Sequence, residues 1–142
     1  MSAERNKAIV RRFFEEVYNN GNSDIIDDIF SDDFDSNDPT SCGVKGPEYV
    51  KQFAFGWRTA FPDIHFTVDE MIAEGDSVVV HVTFRGTHLG EYMGIPPTGN
   101  RVTVKGVELA RFAGGKIVEK GWHYHQELHL LQQLGLLSLH GH

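Results

Sequence analysis

At 142 residues the chain has the length of one domain, 1–142, able to bury about two-thirds of its unfolded surface, and 40% apolar with 23% charged residues excludes disorder. A net charge of −7 without any basic stripe argues against nucleic acid as a partner, because phosphate binding draws on clustered Lys and Arg. Cys42 is the single cysteine, which excludes an intrachain disulfide and suits the reducing cytoplasm; the amino terminus mixes charged and apolar residues and reads as neither signal peptide nor membrane span.

Ile9, Val10, Phe13, Phe14, Val17 and Tyr18 recur at helical spacing and predict a first amphipathic helix, which Asn20-Gly21 can end. Ser23 is placed to cap a second, short helix whose first turn carries Asp24 and whose apolar residues are Ile25, Ile26, Ile29 and Phe30. The acidic stretch from Ser31 to Asp38 is expected to break it. Gly46-Pro47-Glu48 starts a third helix, with Pro47 in the first turn where its missing N–H is not needed. Val50, Phe53, Trp57 and Phe61 share one face of it until Pro62.

From Ile64 the apolar period changes to two, with Ile64, Phe66 and Val68 alternating with His65, Thr67 and Asp69 as in a half-buried strand. Glu74-Gly75-Asp76-Ser77 turns into a strand over 78–85, and Ala113-Gly114-Gly115-Lys116 joins a strand over 102–112 to another over 117–127. Both pairs are expected to be antiparallel hairpins. Between them Gly86 to Gly99, with Pro96-Pro97, is a loop, and Leu128 to Leu137 suits a closing helical turn or two. Three helices followed by consecutive antiparallel strands make an α+β domain, with helices packed on one face of a curved sheet. Such curling leaves room for an internal pocket.

The loop GTHLGEYMGIPPTG (86–99), the segment GKIVEKGW (115–122), the closing LLQQLG (130–135) and AFPDIHFTVDEMIAEGDSVVV (60–80) together resemble the SnoaL-like polyketide cyclase family. The resemblance implies the cone-shaped, nuclear-transport-factor-2-like fold, three amino-terminal helices enclosing a pocket with a curved sheet, and a homo-oligomer, dimer or tetramer. For the cyclases it implies a cofactor-free intramolecular aldol condensation that closes the last ring of an aromatic polyketide. Such a reaction needs a proton removed from an acidic carbon, a task for a carboxylate in an apolar pocket. The family's catalytic Asp lies four residues after the strand Trp, and that position here is Gln126, whose amide only donates or accepts hydrogen bonds.

The same resemblance sets Trp122, Tyr124 and Gln126, which share a strand parity, on the pocket side, as ligand contacts or as core aromatics with a satisfied amide. Glu127 should then point away unless a bulge intervenes. Glu108 interrupts Val102, Val104, Ala110 and Phe112 on one strand face; a carboxylate buried there must be paired or hold its proton more tightly, which makes it a candidate general base. An ion pair with Arg101, Arg111 or Lys105 at an interface is its alternative reading. His81 interrupts 78–82 and is a candidate relay partner for Glu108.

Asn37, in the corner Asn37-Asp38-Pro39, could hydrogen-bond a substrate carbonyl or simply form the turn. Phe14, Tyr18, Phe53 and Trp57 are core packing or pocket wall. His88 and Pro96-Pro97 are expected at the cavity rim or an oligomer contact. His123 and His125 lie two apart on the other sheet face; with His81 or His129 they would make three metal ligands, but a subunit contact suits them better, and no metal or cofactor is expected. Two functions stay open: a proton-transfer enzyme acting on a small, largely apolar carbonyl or polyketide-type ligand, and a non-catalytic binding or accessory protein that keeps the cavity and has lost the acid.

Overall fold

The computed structural model describes residues 2–36, 43–123 and 127–135, with positions 120–123 and 127–129 described by backbone only. Helix α1 (Ala3–Arg12) begins where the Ser2 hydroxyl accepts the Arg5 N–H at 3.1 Å, satisfying one of the free donors of the first turn. It continues into a π-helical stretch, Phe13–Asn19, in which Phe13, Phe14, Val17 and Tyr18 are all buried. Arg58 closes this stretch, its Nη1 donating to the Tyr18 carbonyl at 2.5 Å and the Asn19 carbonyl at 3.5 Å. Gly21, at φ 72°, lets the guanidinium in, since a Cβ there would sit 2.9 Å from it.

A 3₁₀ turn (Ser23–Ile25) leads into α2 (Ile26–Ile29). Asn22, not Ser23, supplies the cap, its side-chain oxygen accepting the Asp24 N–H at 3.2 Å. The acidic run after it does not simply break the helix: Phe30–Asp35 is a strand, β1, with Phe30 and Phe34 buried and Ser31, Asp32 and Asp33 turned outward. Helix α3 (Gly46–Ala60) has Pro47 in its first turn and buries Tyr49, Val50, Ala54 and Ala60. Lys51 reaches Asp27 at 2.9 Å, an exposed tie between α3 and α2.

Strands β2 (His65–Glu74), β3 (Ser77–Thr87), β4 (Arg101–Ala113) and β5 (Lys116–His123) follow, in a five-stranded sheet ordered β1-β5-β4-β3-β2. Both expected hairpins form, as antiparallel β2–β3 and β4–β5 pairs. The sheet is mixed, however, because β1 lies parallel to β5. Strand β2 carries a bulge at Asp69: pairing steps from Val68–Val82 to Glu70–His81, and the Thr83 hydroxyl donates to the Asp69 carboxylate at 2.5 Å. Strand β5 ends at His123, short of the expected Glu127, which instead begins α4 (Glu127–Gln133).

One sheet face, with Phe66, Val78, Val80, Val82, Phe84, Val102, Val104, Ala110 and Phe112, meets Val10, Phe13, Phe14, Val17 and Tyr18 in a single buried cluster. Rings join across it, Tyr18 to Phe66 at 4.7 Å and Phe66 to Phe84 at 5.4 Å between centroids. Two side-chain amides complete strand edges. Asn19 accepts the Phe66 N–H at 2.7 Å and donates to its carbonyl at 2.9 Å, covering the outer edge of β2. Gln133 of α4 does the same for Thr103, accepting its N–H at 2.7 Å and donating to its carbonyl at 2.8 Å. That stretch of β4 lies beyond the last described β4–β5 pair, Val107–His123, and the amide stands where a neighbouring strand would otherwise be. Among the described residues no helix is long and apolar enough to cross a membrane.

Candidate functional site

Side chains on β4 alternate between faces, and the helix-facing set runs Val102, Val104, Gly106, Glu108, Ala110, Phe112. Large residues stand at both ends of this row and small ones beside Glu108. Glu108 is 1% exposed, opposite Val80 on β3 and opposite position 122 on β5. A carboxylate placed inside an apolar face is costly unless polar groups compensate.

The register removes two sequence-based expectations for this residue. His81 opposes Val107 and is exposed on the outer face, whereas Glu108 opposes Val80 on the inner one, so the two form no direct relay. Arg101, Lys105 and Arg111 are likewise exposed on the outer face, and Arg111 instead approaches Glu119 at 3.9 Å. Within the chain, Glu108 therefore forms no ion pair with any of these three. The reason in both cases is the two-residue period of a strand, which separates odd from even positions.

Trp122 stands directly across from Glu108 in the β4–β5 register, so backbone pairing brings those two positions together. Asn37, Tyr124 and Gln126 lie outside the described residues. Phe14 and Tyr18 are fully buried, with rings stacked at 5.8 Å, and burial, aided by nearby Tyr49, pushes the Tyr18 phenol to a pKa well above its ordinary value. Phe53 and Trp57 are only half-buried on α3. Trp57 heads an aromatic group in which Phe61 lies 5.7 Å, Phe84 5.1 Å and Tyr92 5.4 Å from it.

His88 is not at a rim or a contact surface; it is fully buried at the end of β3, its ring 5.5 Å from that of Phe61. The segment that starts there is stapled to the end of α3, where the N–H groups of Leu89 and Gly90 both donate to the Ala60 carbonyl at 3.0 Å. Gly90 is required by this approach, because a Cβ would lie 2.1 Å from the Thr59 oxygen. Thr98 holds the far side of the loop to His88, and Asn100 ties it onward to α4, its amide donating to the Gln133 carbonyl at 3.1 Å. The loop and the closing helix are thus one hydrogen-bonded unit. Sequence reasoning missed it because its links are side chains meeting backbone up to 33 residues away, which leaves no local pattern. No cluster of three or more His, Cys, Asp or Glu suited to a metal occurs among the described residues.

Buried aromatic helix faces, a curved sheet and a carboxylate inside it define an α+β cone fold built around an apolar interior. Residues 8–134 match the SnoaL-like polyketide cyclase family, and the chain belongs to it. Nogalonic acid methyl ester cyclase of Streptomyces nogalater is 30% identical over 104 residues, spanning 71% of this chain and 77% of its own length. Among solved structures, a protein of Jannaschia sp. CCS1 assigned as a SnoaL-like polyketide cyclase superposes with a TM-score of 0.84 at 26% identity, over 96% of this chain and 95% of its own. AclR of Streptomyces galilaeus, assigned as a hydroxylase, superposes with a TM-score of 0.79 at 31% identity, over 96% of this chain and the whole of its own. The fold is accordingly the nuclear-transport-factor-2-like one.

Proposed function

We propose that this chain binds a small, largely apolar carbonyl compound of polyketide type and catalyses a cofactor-free proton transfer on it, with Glu108 as the base. The observation that carries the reading is the placement of Glu108: a buried carboxylate between Gly106 and Ala110 on an apolar sheet face, facing the helices. Gly106 and Ala110 put little side-chain bulk on either side of the carboxylate. Nogalonic acid methyl ester cyclase, with its 30% identity, supports an aromatic polyketide ester as substrate. In the ring closure, Glu108 takes a proton from the carbon next to a carbonyl, and the enolate attacks a second carbonyl carbon of the same molecule. The proton then goes to the new alkoxide, leaving the carboxylate free again.

The test is deuterium exchange at the acidic carbon of nogalonic acid methyl ester in deuterium oxide. The native protein is expected to accelerate exchange and Glu108→Gln to abolish the acceleration; equal exchange with both removes Glu108 as base. The second reading, a binding protein without catalysis, is favoured by Gln126 at the position where the family carries its acid. It predicts ligand binding with no exchange by the native protein and recovery of exchange in Gln126→Asp. We further place the protein in the cytoplasm as a homo-oligomer joined through the outer sheet face, where Val79, Val107 and Leu109 are half-buried and Ile72 is 57% exposed. A monomer mass in sedimentation would contradict that assembly.

A further inference from the structure

The strand register sorts the outer face of the sheet into columns of charge. On β2 the outward charged side chains are Asp69, Glu70 and Glu74, all acidic, and on β4 they are Arg101, Lys105 and Arg111, all basic. Asp69, in the bulge, belongs to this face because its carboxylate accepts the Thr83 hydroxyl, and Thr83 alternates with the inward Val82 and Phe84. All six charged residues are exposed. Strand β3 runs between the columns, and pairing continues across the three strands in rows: Glu74–Ser77–Arg111, Ile72–Val79–Leu109 and Glu70–His81–Val107. Among the described residues, Arg111 alone of the six is in an ion pair, with Glu119 at 3.9 Å. The intervening strand keeps the acidic and basic columns apart within one chain.

A second copy of the chain brings them together. Two sheets packed face to face lie about 10 Å apart, a gap that a Glu and an Arg side chain span between them. A two-fold axis parallel to β3 carries β2 of each copy over β4 of the other, acid over base. The same operation sets Glu74 over the partner's Arg111, Ile72 over the partner's Leu109, and Val79 over the partner's Val79, an apolar band flanked by charge. An axis across the strands would instead lay each strand over its own copy, base on base along β4 and acid on acid along β2, which like-charge repulsion disfavours. Arg85, farther along β3, does not oppose itself, because the angle of about 30° between aligned sheets carries it off the axis.

We propose that two copies of the chain associate through the outer sheet face about a two-fold axis along β3, with the acidic column of β2 over the basic column of β4 in both directions. This rests on the reading of the protein as a homo-oligomer joined by that face and adds to it the orientation of the pair and the residues that select the partner. Charge sets the orientation, and the apolar band of Ile72, Val79 and Leu109 supplies the area that leaves water.

Two charge-reversed chains test the pairing by sedimentation, with circular dichroism to confirm that each is folded. One carries Glu70→Lys and Glu74→Lys, the other Lys105→Glu and Arg111→Glu. Each alone opposes like charges across the axis and should self-associate at least about tenfold more weakly than the native chain, whereas an equimolar mixture should form a mixed pair of near-native affinity. Native-like self-association by either variant, or a mixture no tighter than its components, overturns the orientation and leaves the homo-oligomer reading in place. A native protein that sediments as a monomer at every concentration removes both. A second measurement needs no charge reversal: His81→Cys in a Cys42→Ser background puts a thiol beside the axis, and a short bismaleimide should join it to its counterpart. An oligomeric protein that yields no such cross-linked pair also overturns the axis, even where the charge-reversed chains do not fold.

Discussion

Replacing Gln133 by Ala tests how the closing helix is held. The change deletes both hydrogen bonds to Thr103, at 2.7 and 2.8 Å, while the Gln133 backbone carbonyl keeps its bond to Asn100. Each such bond is worth about 1 kcal/mol net, and Thr103 is exposed enough for water to recover part of the loss, so the expected destabilisation is about 1–2 kcal/mol. For a chain of this length that lowers Tm by roughly 3–7 °C. Thermal unfolding gives the magnitude and amide hydrogen exchange the location: the Thr103 N–H should lose protection, because it faces away from its β3 neighbour Arg85 and has Gln133 as its acceptor. Gln133→Glu is the sharper control. It keeps an acceptor for the N–H but sets a carboxylate oxygen against the Thr103 carbonyl, so it should be at least as destabilising as Ala. A Tm within 1 °C of the native value, with Thr103 still protected, would refute the clamp.

Gly90→Ala should lower stability by about 1–3 kcal/mol in a denaturant titration, since its Cβ would meet the Thr59 carbonyl at 2.1 Å and the loop must part from α3 to admit it. An unchanged midpoint would show that the close approach is not maintained in solution. Asp63 is held below the usual carboxylate range chiefly by the Thr87 hydroxyl, with burial opposing it and the Thr87 backbone N–H adding to it, both Thr87 donors lying at 2.7 Å. Because its folded pKa is depressed, the stability it contributes is present above the ordinary Asp value and is lost as pH falls through the folded value. Thr87→Val removes the hydroxyl donor and should move the Asp63 titration, followed by carboxyl NMR, upward toward about 3.9. No movement would contradict the assigned cause.

The helices and hairpins were legible because their signals are local. The stripe from Val10 to Tyr18, Pro47 at the start of α3, and the glycine turns at 75–76 and 114–115 each act over a few residues. Strand β1 was not legible. Its buried pair, Phe30 and Phe34, is four apart, and Ser31, Asp32 and Asp33 between them hide the strand period. Its partner Ile117 is far along the chain, and parallel pairing leaves no turn to announce it. At the site, the alternation of Val102, Val104, Ala110 and Phe112 correctly put Glu108 on the buried face. The same alternation, applied to Val78, Val80 and Val82, already sets His81 on the opposite one, so the relay failed by a rule the strand itself contains. The burial of His88 was invisible, since it depends on a loop folding back to Thr98 and on Phe61 arriving from α3.

The central claim is that a carboxylate on the inner sheet face does the chemistry, and the rate of ring closure of nogalonic acid methyl ester by the native protein and by Glu108→Gln tests it most directly. Gln matches Glu in shape and keeps hydrogen-bonding atoms at the same place, so Tm should change little and a loss of rate at unchanged Tm is chemical. The account predicts a fall in kcat of at least about a hundredfold with KM little altered. A Glu108→Gln protein that closes the ring within twofold of the native rate would contradict it.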